Sequence, residues 1–297
     1  MKNFIFLLLL LSITTVSYGQ VTKSWFDRAV IIGQSMEIIT DGKQDPAQFQ
    51  LTFPHKDTAS YLINAGVSIL LGKSNGFKST LTGEYHRNTN ADSAQNNFQF
   101  GYTYNTRFLK GGIDRADHYI YGDIKYVYDG IDIKNSIAAN FLYTWVADQA
   151  AININANNFS KNKKTSFYLS PFIGPQIQHV FSAANDSAKG FILRPVVSLS
   201  ASFAINRIPD SVNQRSQPQP LISFSASYTG RKDIVNSSKV PEGYTQLFKA
   251  EADYYIITKP VKLSLGISYL TGSDPIQGLK KQQFWIVSFN IAKGTDK

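Results

Sequence analysis

The chain has 297 residues, of which 43% are hydrophobic and 17% charged, with a formal net charge of +9 and no cysteine. That length suits one large β domain or two ordinary domains, and the absence of cysteine excludes a disulfide framework and thiolate metal sites. The charged fraction falls below the roughly 25% of an average soluble domain, and the basic residues are scattered, which argues against a nucleic-acid partner.

The N-terminus reads as an export signal. Lys2 precedes an apolar run from Phe4 to Ile13, and Ser17-Tyr18-Gly19 places small residues three and one positions before Gln20. The run is shorter than the ~20 residues of a spanning helix. Residues 1–19 are therefore expected to be a signal peptide. Lys2 is the sole charge within it, so 30 basic residues fall to 29 against 21 acidic, a net of +8. Residues 20–46 leave three alternatives open: a strand, a short plug helix or a periplasmic lead.

From residue 47 onward, period-2 alternation recurs in runs of about ten residues separated by turn chemistry. The expected strands are 49–53, 61–71, 77–86, 98–107, 119–128, 132–145, 167–181, 193–205, 221–229, 246–256, 261–270 and 283–291. Ser74-Asn75-Gly76 separates the second from the third. Asp129-Gly130 reads as a two-residue hairpin turn between the fifth and sixth. Segments 41–46, 185–190, 209–220 and 230–243 read as loops by their Gly, Pro, Asn, Asp and Ser content.

Each strand has an apolar and a polar edge. In LISFSASYTG, Ile222, Phe224, Ala226 and Tyr228 alternate with Ser223, Ser225, Ser227 and Thr229. The same partition places Lys78, Glu84, Arg107, Asp123, Lys125, Arg194, Lys249, Glu251, Asp253 and Lys262 on polar edges. Charge is almost absent from the apolar edges at mid-strand. Lipid would impose that avoidance, since an Arg or Lys facing the bilayer midplane costs about 2–4 kcal/mol. The apolar edges also carry aromatics that suit membrane interfaces: Tyr102, Tyr104, Tyr126, Tyr128, Tyr143, Trp145, Trp285 and Phe289. Soluble sheets alternate too, but their strands average five or six residues, whereas a tilted membrane strand needs 9–11. The expected fold is all-β: an antiparallel transmembrane β-barrel of about 12 strands over residues 47–293, with 294–297 as a tail.

This pattern resembles that of the outer-membrane β-barrel proteins of Gram-negative bacteria, and FWIVSFNI resembles the aromatic-rich closing strand of that class. One departure is that IAKGTDK follows Asn290, where such strands end the chain on an aromatic residue. The resemblance implies an outer-membrane location, contact with outer-membrane lipid and delivery by the barrel-insertion machinery.

Chemistry is sparse. His86 shares its edge with Glu84, which would orient an imidazole, but no G-x-S-x-G accompanies it, and a place at the loop rim is the favoured reading. Asp117 and His118 are adjacent and so point to opposite faces. H-E-x-x-H, EF-hand and phosphate-loop motifs are absent, so no cofactor, catalytic residue or resident metal is assigned. Asn185-Asp186 and Ser273-Asp274 are the loop positions with surface Ca²⁺ chemistry. The leading expectation is a narrow channel or transport-type barrel for small polar or anionic solutes, its inward charges tuning permeation. The alternatives are a non-conducting structural or adhesive barrel, whose inward charges pair to fill it, and a barrel enzyme acting on lipid or peptide.

Overall fold

The computed structural model describes residues 29–33, 47–52, 60–74, 76–89, 94–111, 116–147, 153–207, 218–240, 243–258 and 261–292. The expected signal peptide and the tail at 294–297 lie outside them. The elements are β1 (Val30–Gly33), β2 (Ala47–Thr52), β3 (Ser60–Ser74), β4 (Phe77–Asn88), β5 (Gln95–Leu109), β6 (Asp117–Asp129), β7 (Lys134–Val146), β8 (Asn158–Phe159), β9 (Thr165–Ala183), β10 (Gly190–Arg207), β11 (Gln219–Lys232), β12 (Val235–Asn236), β13 (Tyr244–Ile257), β14 (Lys262–Asp274) and β15 (Leu279–Ala292).

Twelve of these close into an antiparallel barrel. The ring runs β2-β3-β4-β5-β6-β7-β9-β10-β11-β13-β14-β15 and returns to β2. The β2–β3, β4–β5, β6–β7, β9–β10, β11–β13 and β14–β15 connections share one end, here the far end. Val30 and Ala292 lie at the other, the terminal end. Apart from β2, the ring strands run 12 to 19 residues, well beyond the five or six usual in soluble sheets.

Burial is inverted relative to a soluble protein. Gln99, Asn97, Thr80, Lys125, Glu84, Gln176 and Asn290 are buried, while Phe98, Phe100, Ile124, Ile137, Ile173, Leu199, Phe224, Leu265 and Val287 are exposed. Both sets alternate along their strands, so the barrel interior is polar and its outer wall apolar. A continuous apolar exterior is unfavourable in water and matches what lipid requires of a barrel wall. The strands thus have transmembrane character.

The first ring position is composite. Gly33 of β1 faces Gly66 of β3, and Gln48 of β2 faces Asn64 two residues earlier. β1 and β2 thus lie end to end along β3, and the span 34–46 between them is outside the described residues. Within the segment 20–46, the strand alternative is the one observed for Val30–Gly33. The closing seam is short: β15 pairs with β2 only through Phe289–Ile291 and Ala47–Phe49. Upstream of that ladder, Trp285 and Val287 stand 67% and 68% exposed on β15.

One turn differs from its sequence reading. Asp129-Gly130 does not form a two-residue hairpin, and β7 starts at Lys134 rather than at residue 132. The Asp129 carboxylate is buried and accepts from the backbone N–H groups of Ile131 (3.0 Å) and Asp132 (3.3 Å). That side-chain turn lengthens the loop, and the left-handed residue is Ile133 (φ 48°), not Gly130.

If lipid is the solvent of the outer wall, Ile267→Arg at mid-β14, where Ile267 is 48% exposed, will cost about 2–4 kcal/mol in urea titrations of folding into phospholipid vesicles. In a water-soluble barrel the same change would be neutral within error.

Candidate functional site

The interior is a packed hydrogen-bonded body built from inward positions of successive strands. Glu84 on β4 and Lys125 on β6 are 2% and 1% exposed, and Lys125 Nζ lies 2.6 Å from Glu84 Oε1. Lys125 also donates to Gln99 Oε1 (3.4 Å), and Gln99 Nε2 donates to Asn97 Oδ1 (2.9 Å). The His86 ring nitrogens lie 3.2 Å from Asn64 Oδ1 and 3.3 Å from Glu84 Oε2. Asn140 Nδ2 donates to both Asp123 oxygens (3.0 and 3.1 Å), and Gln176 Nε2 donates to Asn140 Oδ1 (2.7 Å). Arg194 then donates to Gln178 Oε1 (2.8 Å) and, through Nε, to Asp233 Oδ1 (2.6 Å). On the far side of the ring, Lys249 pairs with Glu251 (2.7 Å), Gln48 donates to Glu251 (3.2 Å), and Asn290 and Ser264 donate to Asp253 (2.7 and 3.0 Å).

The ten inward candidates are therefore divided by depth. Glu84, Asp123, Lys125, Arg194, Lys249, Glu251 and Asp253 are buried, and Lys78, Arg107 and Lys262 lie half-buried toward the terminal end. Arg107 Nη1 meets Asp117 Oδ2 at 2.8 Å. Lys125, Arg194, Lys249 and Arg107 each face a carboxylate, which offsets the positive field an anion filter would present. His86 is fully buried inside the barrel rather than at a loop rim. Asp117 and His118 diverge as their adjacency requires: His118 lies outward, 2.7 Å from Tyr143 Oη.

All eight candidate aromatics occupy outward positions. Tyr126 and Tyr128 lie toward the far end, with Tyr126 and Phe181 centroids 6.5 Å apart. Tyr143 and Trp145 form a stacked pair toward the terminal end (6.1 Å), continued by His118 and Phe108. Tyr102 and Trp285 sit nearer mid-strand, Trp285 packing on Tyr269 (5.0 Å). Tyr104 and Phe289 lie between mid-strand and the terminal end, and the Tyr104 ring covers the bare Cα of Gly122. The loop carboxylates are engaged within the chain. Asp186 bonds Lys189, which holds its carboxyl below the usual range. Asp274 Oδ2 accepts from Arg231 (3.0 Å).

Two features lack a sequence signal. An apolar layer of Leu142, Phe172 and Val196, with Tyr121 packed against it, lies inside the barrel beneath Asp123 and Asn140. These residues occupy the edge that elsewhere is polar. The second is the β14–β15 turn, Pro275 to Gly278, which crosses the far mouth. Ile276 is fully buried against Val127 and Ala138. Its carbonyl accepts from Asn97 (3.1 Å) and Gln99 (3.3 Å), and that of Gln277 accepts from Gln95 (2.7 Å). Asp274 Oδ1 caps the turn through the Ile276 N–H (3.1 Å). Gly278 has φ +66°, and a Cβ there would meet Asp129 Oδ2 at 3.1 Å, so both backbone and space call for glycine. Lys280 Nζ reaches Asp132 Oδ1 (2.9 Å), fastening the hairpin to the opposite wall.

No family model, curated protein or solved structure matches the chain.

Breaking the central pair tests whether the interior behaves as a buried ionic core. Lys125→Met leaves Glu84 without its ammonium partner and will cost about 3–5 kcal/mol in equilibrium unfolding. Adding Glu84→Gln to Lys125→Met will recover part of that loss, so a strictly additive double mutant would contradict the coupling.

Proposed function

We propose that this chain is an outer-membrane β-barrel that is shut at rest, its stability supplied by a filled interior and its recognition supplied by the far-end loops. The observation that carries the reading is a pair of buried hydrogen-bonded groups, one joining His86, Glu84, Lys125 and Gln99 and the other running from Asp123 through Asn140 and Gln176 to Arg194 and Asp233, with Ile276 closing the mouth above them. Solute passage needs an aqueous path whose lining side chains meet water, as in wide porins. The side chains at this level meet one another instead. The apolar outer wall, the paired aromatic levels and the export signal expected at residues 1–19 support the outer membrane as the location.

A second reading is a narrow channel that conducts when the β14–β15 turn withdraws. It is favoured by the inward wall of β10 and β11, where Ser200, Ser202, Ser223, Ser225 and Ser227 are only half-buried. Small hydroxyls at successive inward positions leave room for water along one side of the barrel.

Planar-bilayer recording of refolded protein discriminates between them. The shut barrel predicts no discrete conductance from wild type whose insertion is shown by heat-modifiable gel migration. Steady steps from wild type would overturn it. Ile276→Asp, which places a carboxylate between Val127 and Ala138, beside the Asn97 and Gln99 amides that donate to the carbonyl of residue 276, is expected to produce brief openings only if the turn gates a path beneath it. Continued silence in that variant would remove the second reading.

A further inference from the structure

A cleft of about 410 Å³ lies at the far mouth, between the β6–β7 turn, the β9–β10 turn and the β11–β13 loop. Its floor is Val180, Ile192 and the amide of Gln178, which occupy inward positions of β9 and β10 and are 2%, 5% and 2% exposed. Its walls include Ile131, Ile133, Ala188 and Val240. Three of these wall residues, Ile131, Ile133 and Val240, remain exposed although they sit in loops beyond the strand ends, where polar residues are the norm.

Two observations argue that the cleft is a built pocket. The first is strain at its wall. Ile133 has φ 48°, and a β-branched residue in the left-handed region is an outlier. Residues held in such conformations cluster at ligand clamps and functional sites. The second is that the walls are fastened to one another. The Ala184 N–H donates to the Ile133 carbonyl (3.2 Å), joining two of the turns. The Lys239 N–H donates to the Ser187 carbonyl (2.8 Å), and the Ile234 and Ser237 N–H groups donate to Leu193 and Phe191 (3.0 and 2.9 Å), joining the third. Asn185 Oδ1 caps the short 3-10 turn at Ser187 N. A pocket held open by backbone bonds does not collapse when empty, and it spares a ligand the cost of ordering its walls.

We infer that this far-mouth cleft binds a short-chain amphiphile, with its alkyl body between Ile131, Ile133, Val240 and the Val180–Ile192 floor. Its single hydrogen-bonding head lies toward Lys134, Asn185 and Ser238 at the rim. The volume falls within the 300–1,000 Å³ usual for small-ligand sites, and mostly apolar walls with a few polar groups are their usual lining. The ligand enters from the aqueous side of the far end. The floor residues point inward, so the cleft opens at the mouth and not on the lipid-facing wall, and a two-chain bilayer lipid has no lateral route to it. This assignment goes beyond the shut-lumen reading and stands whether or not the barrel conducts.

The test is photolabelling of the full chain in amphipol with an octanol that carries an alkyl diazirine, the adducts mapped by peptide mass spectrometry. The expected result is saturable labelling of peptides containing residues 131–134, 184–188 and 238–240, displaced by unlabelled octanol. Ala188→Trp, which fills the cleft, and Val240→Glu, which charges its exposed rim, should each lower that labelling tenfold or more while heat-modifiable migration stays unchanged. Labelling that is non-saturable, that spreads evenly over the outward strand faces, or that persists in both folded variants would overturn the assignment.

Discussion

Every polar group turned into this barrel must find its partner inside it. The outer wall is apolar, so the interior is a polar core enclosed by hydrocarbon-facing strands, and an unmet hydrogen bond or charge there is costly. The Glu84–Lys125 pair is the centre of that constraint. Its bonds reach from Asn64 on β3 to Lys125 on β6, and a second group runs from Asp123 on β6 to Arg194 on β10, so that together they span seven strands. The packing follows from the ladder registers. Glu84 faces Gln99 across β4–β5, and Asp123 faces Asn140 across β6–β7. The requirement is not met everywhere among the described residues: Gln48 Oε1, Ser288 Oγ and Asn290 Oδ1 near the three-residue seam, and Ser68 Oγ, Thr245 Oγ1 and Ser268 Oγ away from it, have no hydrogen-bond partner. Such buried acceptors and hydroxyls are the usual positions of internal water.

The far end is organised by the same requirement. Asp129 and Asp274 both turn their carboxylates onto backbone N–H groups of their own turns. Doing so bends one turn across the mouth and lengthens the other. The lengthened β6–β7 turn then serves two neighbours. Asp132 fastens the crossing hairpin through Lys280, and Ile133 forms a wall of the loop cleft. The crossing of the far mouth by the hairpin and the shaping of the cleft are thus two results of one local arrangement, and a ligand in the cleft would lie against the turn that fastens the hairpin.

The strand plan was legible in the sequence because alternation is a local property with period 2. The run 98–107 falls inside Gln95–Leu109, and 193–205 falls inside Gly190–Arg207. The two faces were legible for the same reason, so Glu84 and Lys125 could be placed on inward edges without knowing that they meet. What was not legible depends on cross-barrel distance. Ile276 bonds Gln99 from 177 residues away, and a lone isoleucine in a Pro-Ile-Gln-Gly turn carries no local signal of burial. The apolar layer of Leu142, Phe172 and Val196 carries no local signal either, since three apolar residues on three strands make a cluster only after closure. Asp129-Gly130 misled because its hairpin signal assumes a solvated aspartate, and this one is drawn into the interior.

The central claim is that the apolar edge meets lipid while the polar edge is packed and closed to bulk water. Paired nitroxide labels at Ile267→Cys and Ser268→Cys test both halves at once, and the absence of native cysteine makes the labelling clean. In vesicles, the label at 267 should collide with oxygen far more than with a water-soluble nickel chelate, and the label at 268 should be shielded from both. Strong nickel collision at 268 would mean a water-filled pore, and strong nickel collision at 267 would mean that the outer wall does not face lipid.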